Sequence, residues 1–451
     1  MYPKFRVSQA IVVLLALVPF AYLVRLCLIA YVDVPYWDAW EMVPRLDRMY
    51  AGTLTFFDFW GQHNEHRPIL PVAILLVIAR ITRWDTRWEI VANFAIGIGI
   101  FAVYCAYLRT AWRAHGGAPL WLLPFVSLLL FSTAQWENWL WGWQLQLLLG
   151  ALLSALTSYI LAQGPRPGSL WKAIACAVGA TYSFAAGLVL WPSQAAGVWI
   201  GGGPRRLIRF AVWMAAAVLV WASYFYKFAR PDQPPMLSNF SSPAAIQAYA
   251  IYLCTELGAP IANYSVGVST IAGAVAAVLF TFFAISLRDL RTDPVYLFPV
   301  CAGLQSILNA AVTGLGRTWM GLAQAQSWRY TTLTLPLWCA VLFLGTLWFR
   351  RVPLAPVRPR RVIAAVMTAL LLVLLASTAR TVRAGAIVAS ARGERNMYGR
   401  RGLLTGKSDA LLLELYPHIT LIRERRAVLR RLRLAVFRPA AQPSYPLPGA
   451  E

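Results

Sequence analysis

The chain has 451 residues, of which 59% are hydrophobic and only 13% charged, and its mean hydropathy is +0.57. That balance excludes an ordinary soluble domain, in which about a quarter of residues are charged, and indicates an all-helical, polytopic membrane protein. The net charge of +23 does not point to nucleic acid, because most of the basic residues flank apolar runs, as they do at the inner ends of membrane spans.

The first apolar run, 8–32, follows Lys4 and Arg6 and lacks a small-residue cleavage site. It reads as an uncleaved signal anchor that runs outward. The segment 33–87 is then expected as a long outer loop, and within it 68–81 is too short to cross and reads as an interfacial helix. Further spans are expected at 88–108, 119–134, 140–162, 173–188 and 189–200, the last two short and interrupted by Gly187, Pro192 and Gly197. Beyond them come 210–228, an interfacial piece at 244–257, and spans at 266–287, 295–312, 331–349 and 362–379, about eleven in all. These divide the chain into a transmembrane domain, 1–382, and a basic, membrane-associated tail, 383–451, placed outside. The leucines and arginines of that tail fit an amphipathic helix on anionic headgroups. The six cysteines stand singly in apolar segments and read as packing residues.

Charge is expensive in lipid, so polar groups gathered at one membrane face mark a candidate site. The loop holds Asp33, Asp38, Glu41, Asp58, His63, Glu65, His66 and Arg67. Asp38 and Glu41 stand one helical turn apart and can face one site. A carboxylate there can take a proton from an attacking hydroxyl. Arg67 and His66, beside Glu65, are donors suited to a phosphate. His63, Glu65 and His66 with Asp38 could instead hold a divalent cation, although the pattern is too common to name a metal site. Glu137, Asn138 and Trp139 lie in QWENWLWGWQ. An acid among aromatic faces suits a sugar or its acceptor, while tryptophans also collect at membrane interfaces as a belt. Arg317, Arg329 and Tyr330 fall in the last outer loop, where an arginine can reach a phosphate at headgroup depth; Arg25 in the first span is a further candidate.

The order YWDAWEMV, HNEHRPIL, QWENWLWGWQ and a late WRY, with an uncleaved first span and a long acidic first loop, resembles the GT-C superfamily of membrane glycosyltransferases. The loop acid at Asp38 and the acid, base and proline run at Glu65, His66 and Pro68 match that superfamily's motifs, though Arg67 interrupts the second and only one proline follows. The resemblance implies sugar transfer from a polyprenyl-phosphate or polyprenyl-diphosphate carrier to a glycan, lipid or surface polymer, at the outer face of a bacterial cytoplasmic membrane. In that reading Asp38, Glu41 or Glu65 is catalytic. His66, Arg67, Arg317, Arg329 and Tyr330 contact the donor phosphate, and His63, Glu137, Asn138 and Trp139 the sugar or acceptor. Two other classes share these features: a lipid-linked-glycan flippase, and an O-antigen-type polymerase or ligase.

Overall fold

A backbone in lipid must satisfy its polar groups internally, which favours helices throughout. The computed structural model describes residues 7–230, 232–351 and 357–439, and these form helices and turns with no strand among them. Lys4 and Arg6, part of the basic linker after Arg351, and the end of the tail lie outside the described residues.

Helix α1, Val7–Ala30, is apolar along its length. The first loop then folds into short pieces. Helix α2, Val43–Ala51, opens on Pro44 and stops at Gly52, whose φ of 72° suits a residue without a Cβ. Helix α3, Phe56–Trp60, starts at a reciprocal cap, in which the Thr55 N–H donates to Asp58 Oδ2 at 2.7 Å. Helix α4, Ile69–Thr82, buries Val72, Leu75, Leu76 and Ala79 on one side and exposes Ile74, Val77 and Ile81 on the other. Its fourteen residues rise about 21 Å, less than a bilayer core.

Next come α5, Arg87–Ala111, the short α6, Leu123–Leu130, and α7, Trp136–Leu140, followed by α8, Leu145–Ala162. Helices α9, Ser169–Thr181, and α10, Ala186–Ile200, precede α11, Arg206–Phe225. Helices α12, Pro243–Ala262, and α13, Val266–Ser286, form a tight pair, and α14, Pro294–Arg317, leads through α15, Leu322–Ala325, to α16, Thr331–Arg351. The last three are α17, Val357–Thr405, α18, Asp409–Leu413, and α19, Ile419–Leu432. The main core lies among α5, α6, α8, α14 and α16, around Tyr107, Trp139, Phe298 and Phe343.

Among the described residues, nine helical segments are long and apolar enough to cross a membrane by length and composition. About eleven were expected. The difference is the pair 173–188 and 189–200, which fold as α9 and α10, of 13 and 15 residues. At 1.5 Å per residue these rise only about 20 and 22 Å. Their connecting turn meets the first loop, where the Leu70 N–H donates to Tyr182 O at 3.2 Å.

The piece expected at 244–257 also differs, since α12 continues to Ala262 and buries Tyr252 and everything from Thr255 onward. Gly258 and Pro260 lie inside this helix. In the fold a Cβ at Gly258 would strike the Ser269 backbone, and one at Gly273 the Cys254 backbone, so the glycines are what let α12 and α13 touch. Helix α17 does not stop at 379. Its 49 residues extend over about 74 Å, and its far part meets the first loop. There α18 and α19 pack Leu412, Leu415, Ile422 and Leu429 with Val43, Leu46 and Trp84 in a second core. The tail's arginines pair with loop acids: Arg431 with Asp47 at 2.5 Å, and Arg438 with Asp33 at 2.6 Å and Asp85 at 3.1 Å.

Candidate functional site

The run Trp37–Met42 is a 3-10 helix, and three residues per turn place Asp38 and Glu41 on one face. They nevertheless have different partners. Asp38 Oδ2 lies 3.5 Å from His63 Nε2. Glu41 receives a fork from Arg425 at 2.7 and 3.1 Å and the Tyr416 hydroxyl at 3.1 Å. Burial opposes its charge, but Arg425 and Tyr416 outweigh that and hold its carboxyl below the usual value of 4.5. Glu41 therefore anchors the tail to the loop. Asp33 is similarly engaged, by Arg438, the Tyr31 hydroxyl and Thr86.

The motif HNEHR is a tight turn. His63 and His66 exchange both backbone hydrogen bonds at 2.9 Å, with Asn64 at φ 49°. The turn sets His63 edge-on to Trp143, with ring centroids 5.1 Å apart. His66 stacks on Phe184 at 4.1 Å, and its Nδ1 accepts the Ala185 N–H at 3.2 Å, where α10 begins. Burial pushes the His66 pKa down to about 4, so the ring is neutral at pH 7 and carries its proton on Nε2. Glu65 pairs with Arg317, and its Oε1 lies 3.7 Å from His66 Nε2. Burial raises its carboxyl, but His66 and Arg317 prevail and hold it below 4.5.

Arg67 belongs to the scaffold. It is 2% exposed and donates to three backbone carbonyls: Tyr224 at 2.6 Å, Trp60 at 2.8 Å and Tyr226 at 2.7 Å. Its guanidinium also lies 5.1 Å from the Trp60 ring centre. These bonds occupy all three nitrogens, and Arg67 ties the loop to the end of α11.

Asn138 and Trp139 are equally committed to packing. The Asn138 amide donates to Arg329 O at 2.9 Å and Thr332 Oγ1 at 2.8 Å. Trp139 is fully buried against Phe94 and Phe131. Trp136, Trp141 and Trp143 are buried as well, with indole nitrogens that have no hydrogen-bond partner. They are packed inside the fold, Trp136 against Leu26 and Ala389 and Trp141 and Trp143 in the second core.

Glu137 is the one ionisable residue of this run, and one of its carboxylate oxygens is buried with no hydrogen-bond partner. The charges acting on it are those of Arg329 and Arg392. Arg329 lies 5.3 Å from the Tyr330 ring centre and Arg392 4.6 Å from that of Tyr36. Arg392, Glu137, Arg329 and Asp38 all act on the Tyr36 phenol, and Arg329 also acts on His66 and Arg317. Burial, assisted by the two acids, pushes the Tyr36 hydroxyl pKa up against the pull of the arginines.

Two arginines and two carboxylates thus share one field. Among the described residues neither the Arg329 nor the Arg392 guanidinium has a carboxylate within 4.0 Å, although the Arg329 backbone donates to Glu137. The Asp38 and His63 half and the Glu65, His66 and Arg317 half meet at Arg329. Tyr36 and Arg392 were not among the residues singled out from sequence. Tyr36 had a signal, its place in the aromatic run before Asp38; Arg392 had none, lying more than 350 positions away in a helix rich in arginine.

Below this cluster a cavity runs between α5, α8, α10, α14 and α16. Its lining includes Phe184, which stacks on His66, and Thr332 and Leu333, which follow Tyr330. Deeper it is bounded by Tyr104, Leu147, Phe298, Leu335 and Pro336, with Ser154, Ser158, Gln305 and Asn309 as its polar members. No group of three or more His, Cys, Asp or Glu side chains suited to a metal ion occurs among the described residues. No family model matches the sequence, and neither a curated protein nor a solved structure matches it.

Proposed function

We propose that this protein is a membrane glycosyltransferase, moving a monosaccharide from a polyprenyl carrier to a glycan, lipid or surface-polymer acceptor at the outer face of a bacterial cytoplasmic membrane. The observation that carries the reading is the open cluster of Arg329, Arg392, Asp38 and Glu137, two charges of each sign that act on Tyr36, in which neither guanidinium is closed by a carboxylate among the described residues. Opposite charges left apart at a half-buried site suit a ligand bearing both an anion and hydroxyls, as a sugar phosphate does. The largely apolar cavity beneath suits a carrier chain.

In this mechanism Asp38 is the general base, oriented by His63, and removes the proton from the acceptor hydroxyl as it attacks the anomeric carbon. The bond from that carbon to the carrier phosphate breaks on the opposite face and the configuration inverts. Arg329 stabilises the charge that develops on the leaving phosphate. Glu137 is the acid placed to bind sugar hydroxyls. Glu41, held by Arg425, is a positioning residue, and Arg67 holds the loop that carries His66.

The test is release of free polyprenyl phosphate or diphosphate from a panel of lipid-linked sugars in nanodiscs, comparing wild type with Asp38→Asn. Release that falls at least a hundredfold in a folded mutant supports the reading. Equal release by both removes Asp38 from the mechanism. Absence of release with every donor, alongside movement of labelled carrier between leaflets, would replace the reading with that of a flippase.

A further inference from the structure

We propose that Arg392 binds a second phosphate, so that the carrier is a polyprenyl diphosphate; the inference rests on the glycosyltransferase reading above. Its basis is how far the fold goes to bring Arg392 to the site. Helix α17 continues past the other helices and touches two backbones at once. At Gly385 a Cβ would strike the Thr133 backbone, and at Gly393 it would lie 2.6 Å from the Ala30 carbonyl oxygen. The Thr133 hydroxyl donates to Val382 O at 3.0 Å in the same contact. These approaches fix the rotation and register of α17 against the ends of α1 and α6, and Arg392 stands immediately before the second of them.

The result is a guanidinium 4.6 Å from the Tyr36 ring centre, while that of Arg329 lies 5.3 Å from the Tyr330 ring centre. Both act on Glu137 and on Tyr36. An aromatic face attracts a guanidinium without using its in-plane N–H donors, which leaves those of Arg392 for an oxyanion, while Arg329 also bonds the Tyr330 hydroxyl. Neither fork is closed by a carboxylate among the described residues. A phosphodiester linking sugar to lipid carries one negative charge and satisfies one fork; the corresponding diphosphate carries two and offers oxygens to both. Arg329 would then hold the phosphate that leaves from the sugar, and Arg392 the phosphate next to the lipid.

The experiment measures binding of a short-chain polyprenyl diphosphate and the matching monophosphate to full-length protein in nanodiscs. Wild type is expected to prefer the diphosphate by at least about tenfold. Arg392→Gln should weaken diphosphate binding about 10- to 100-fold and monophosphate binding at least about fivefold less than that, with an unchanged unfolding midpoint in SDS micelles as the fold control. Arg392→Lys, which keeps the charge and loses the fork, should fall between them. Equal affinity of wild type for both ligands, or an equal loss of both in Arg392→Gln with Arg392→Lys behaving like wild type, overturns the inference. Turnover of monophosphate-linked sugars without preference overturns it while leaving the glycosyltransferase reading intact. A wild type that binds neither ligand overturns both.

Discussion

Replacing Arg67 with lysine tests whether this residue holds the scaffold or contacts ligand. Its three nitrogens reach three backbone carbonyls on two separate segments, at 2.6, 2.7 and 2.8 Å. A lysine keeps the charge, but its single nitrogen cannot span all three, and two carbonyls lose their partner. A hydrogen bond to a charged group contributes about 1.5–3 kcal/mol, so losing two costs about 3–6 kcal/mol. Because Arg67 is almost wholly buried, little of this is screened by solvent. Unfolding of the purified protein in mixed micelles against rising SDS, followed by tryptophan fluorescence, gives the difference directly. A loss below about 1 kcal/mol, within the range of one ordinary hydrogen bond, accompanied by weakened ligand binding, would refute the scaffold role.

Two further outcomes follow from the electrostatics. His66 has a folded-state pKa lowered from 6.5 to about 4 by burial, so the unfolded chain binds the proton first as pH falls. Its contribution to stability is complete above pH 6.5 and is lost progressively down to about 4. His66→Gln should flatten that limb in a plot of unfolding midpoint against pH, and an unchanged slope would contradict the assignment. Arg425→Ala removes the fork that holds Glu41, a partly exposed pair worth about 1 kcal/mol. Opening of the tail should rise about fivefold, read as faster tryptic cleavage after Lys407; cleavage at the wild-type rate would show that the apolar contacts of α19 hold the tail alone.

Hydropathy and charge placement made much of the architecture legible in the sequence. They gave the helical class, the positions of the nine long apolar segments, the short helix at Ile69–Thr82, and the loop in which acids and histidines collect. All of these depend on runs of neighbouring residues, which is the range over which apolar length and local charge act. Helices α9 and α10 exceeded that range, because their ends depend on a turn that packs against the first loop. So did α12, whose Gly258 and Pro260 break a helix in isolation and are accommodated by α13 in the fold.

The roles of individual polar residues were decided by tertiary structure alone. Asp38 and Glu41 look equivalent in sequence, yet one faces His63 while the other is taken by Arg425, 384 positions away. Arg67 and Arg329 are the same residue type near the same loop, yet one is saturated by backbone carbonyls and the other's guanidinium forms no ion pair within 4.0 Å among the described residues. Arg392 enters the cluster only because two glycines let a long helix lie against two backbones. Composition shows how much charge a membrane protein carries and at which face it gathers. Which charges are satisfied, and which are left open for a ligand, depends on contacts between distant segments that no local pattern records.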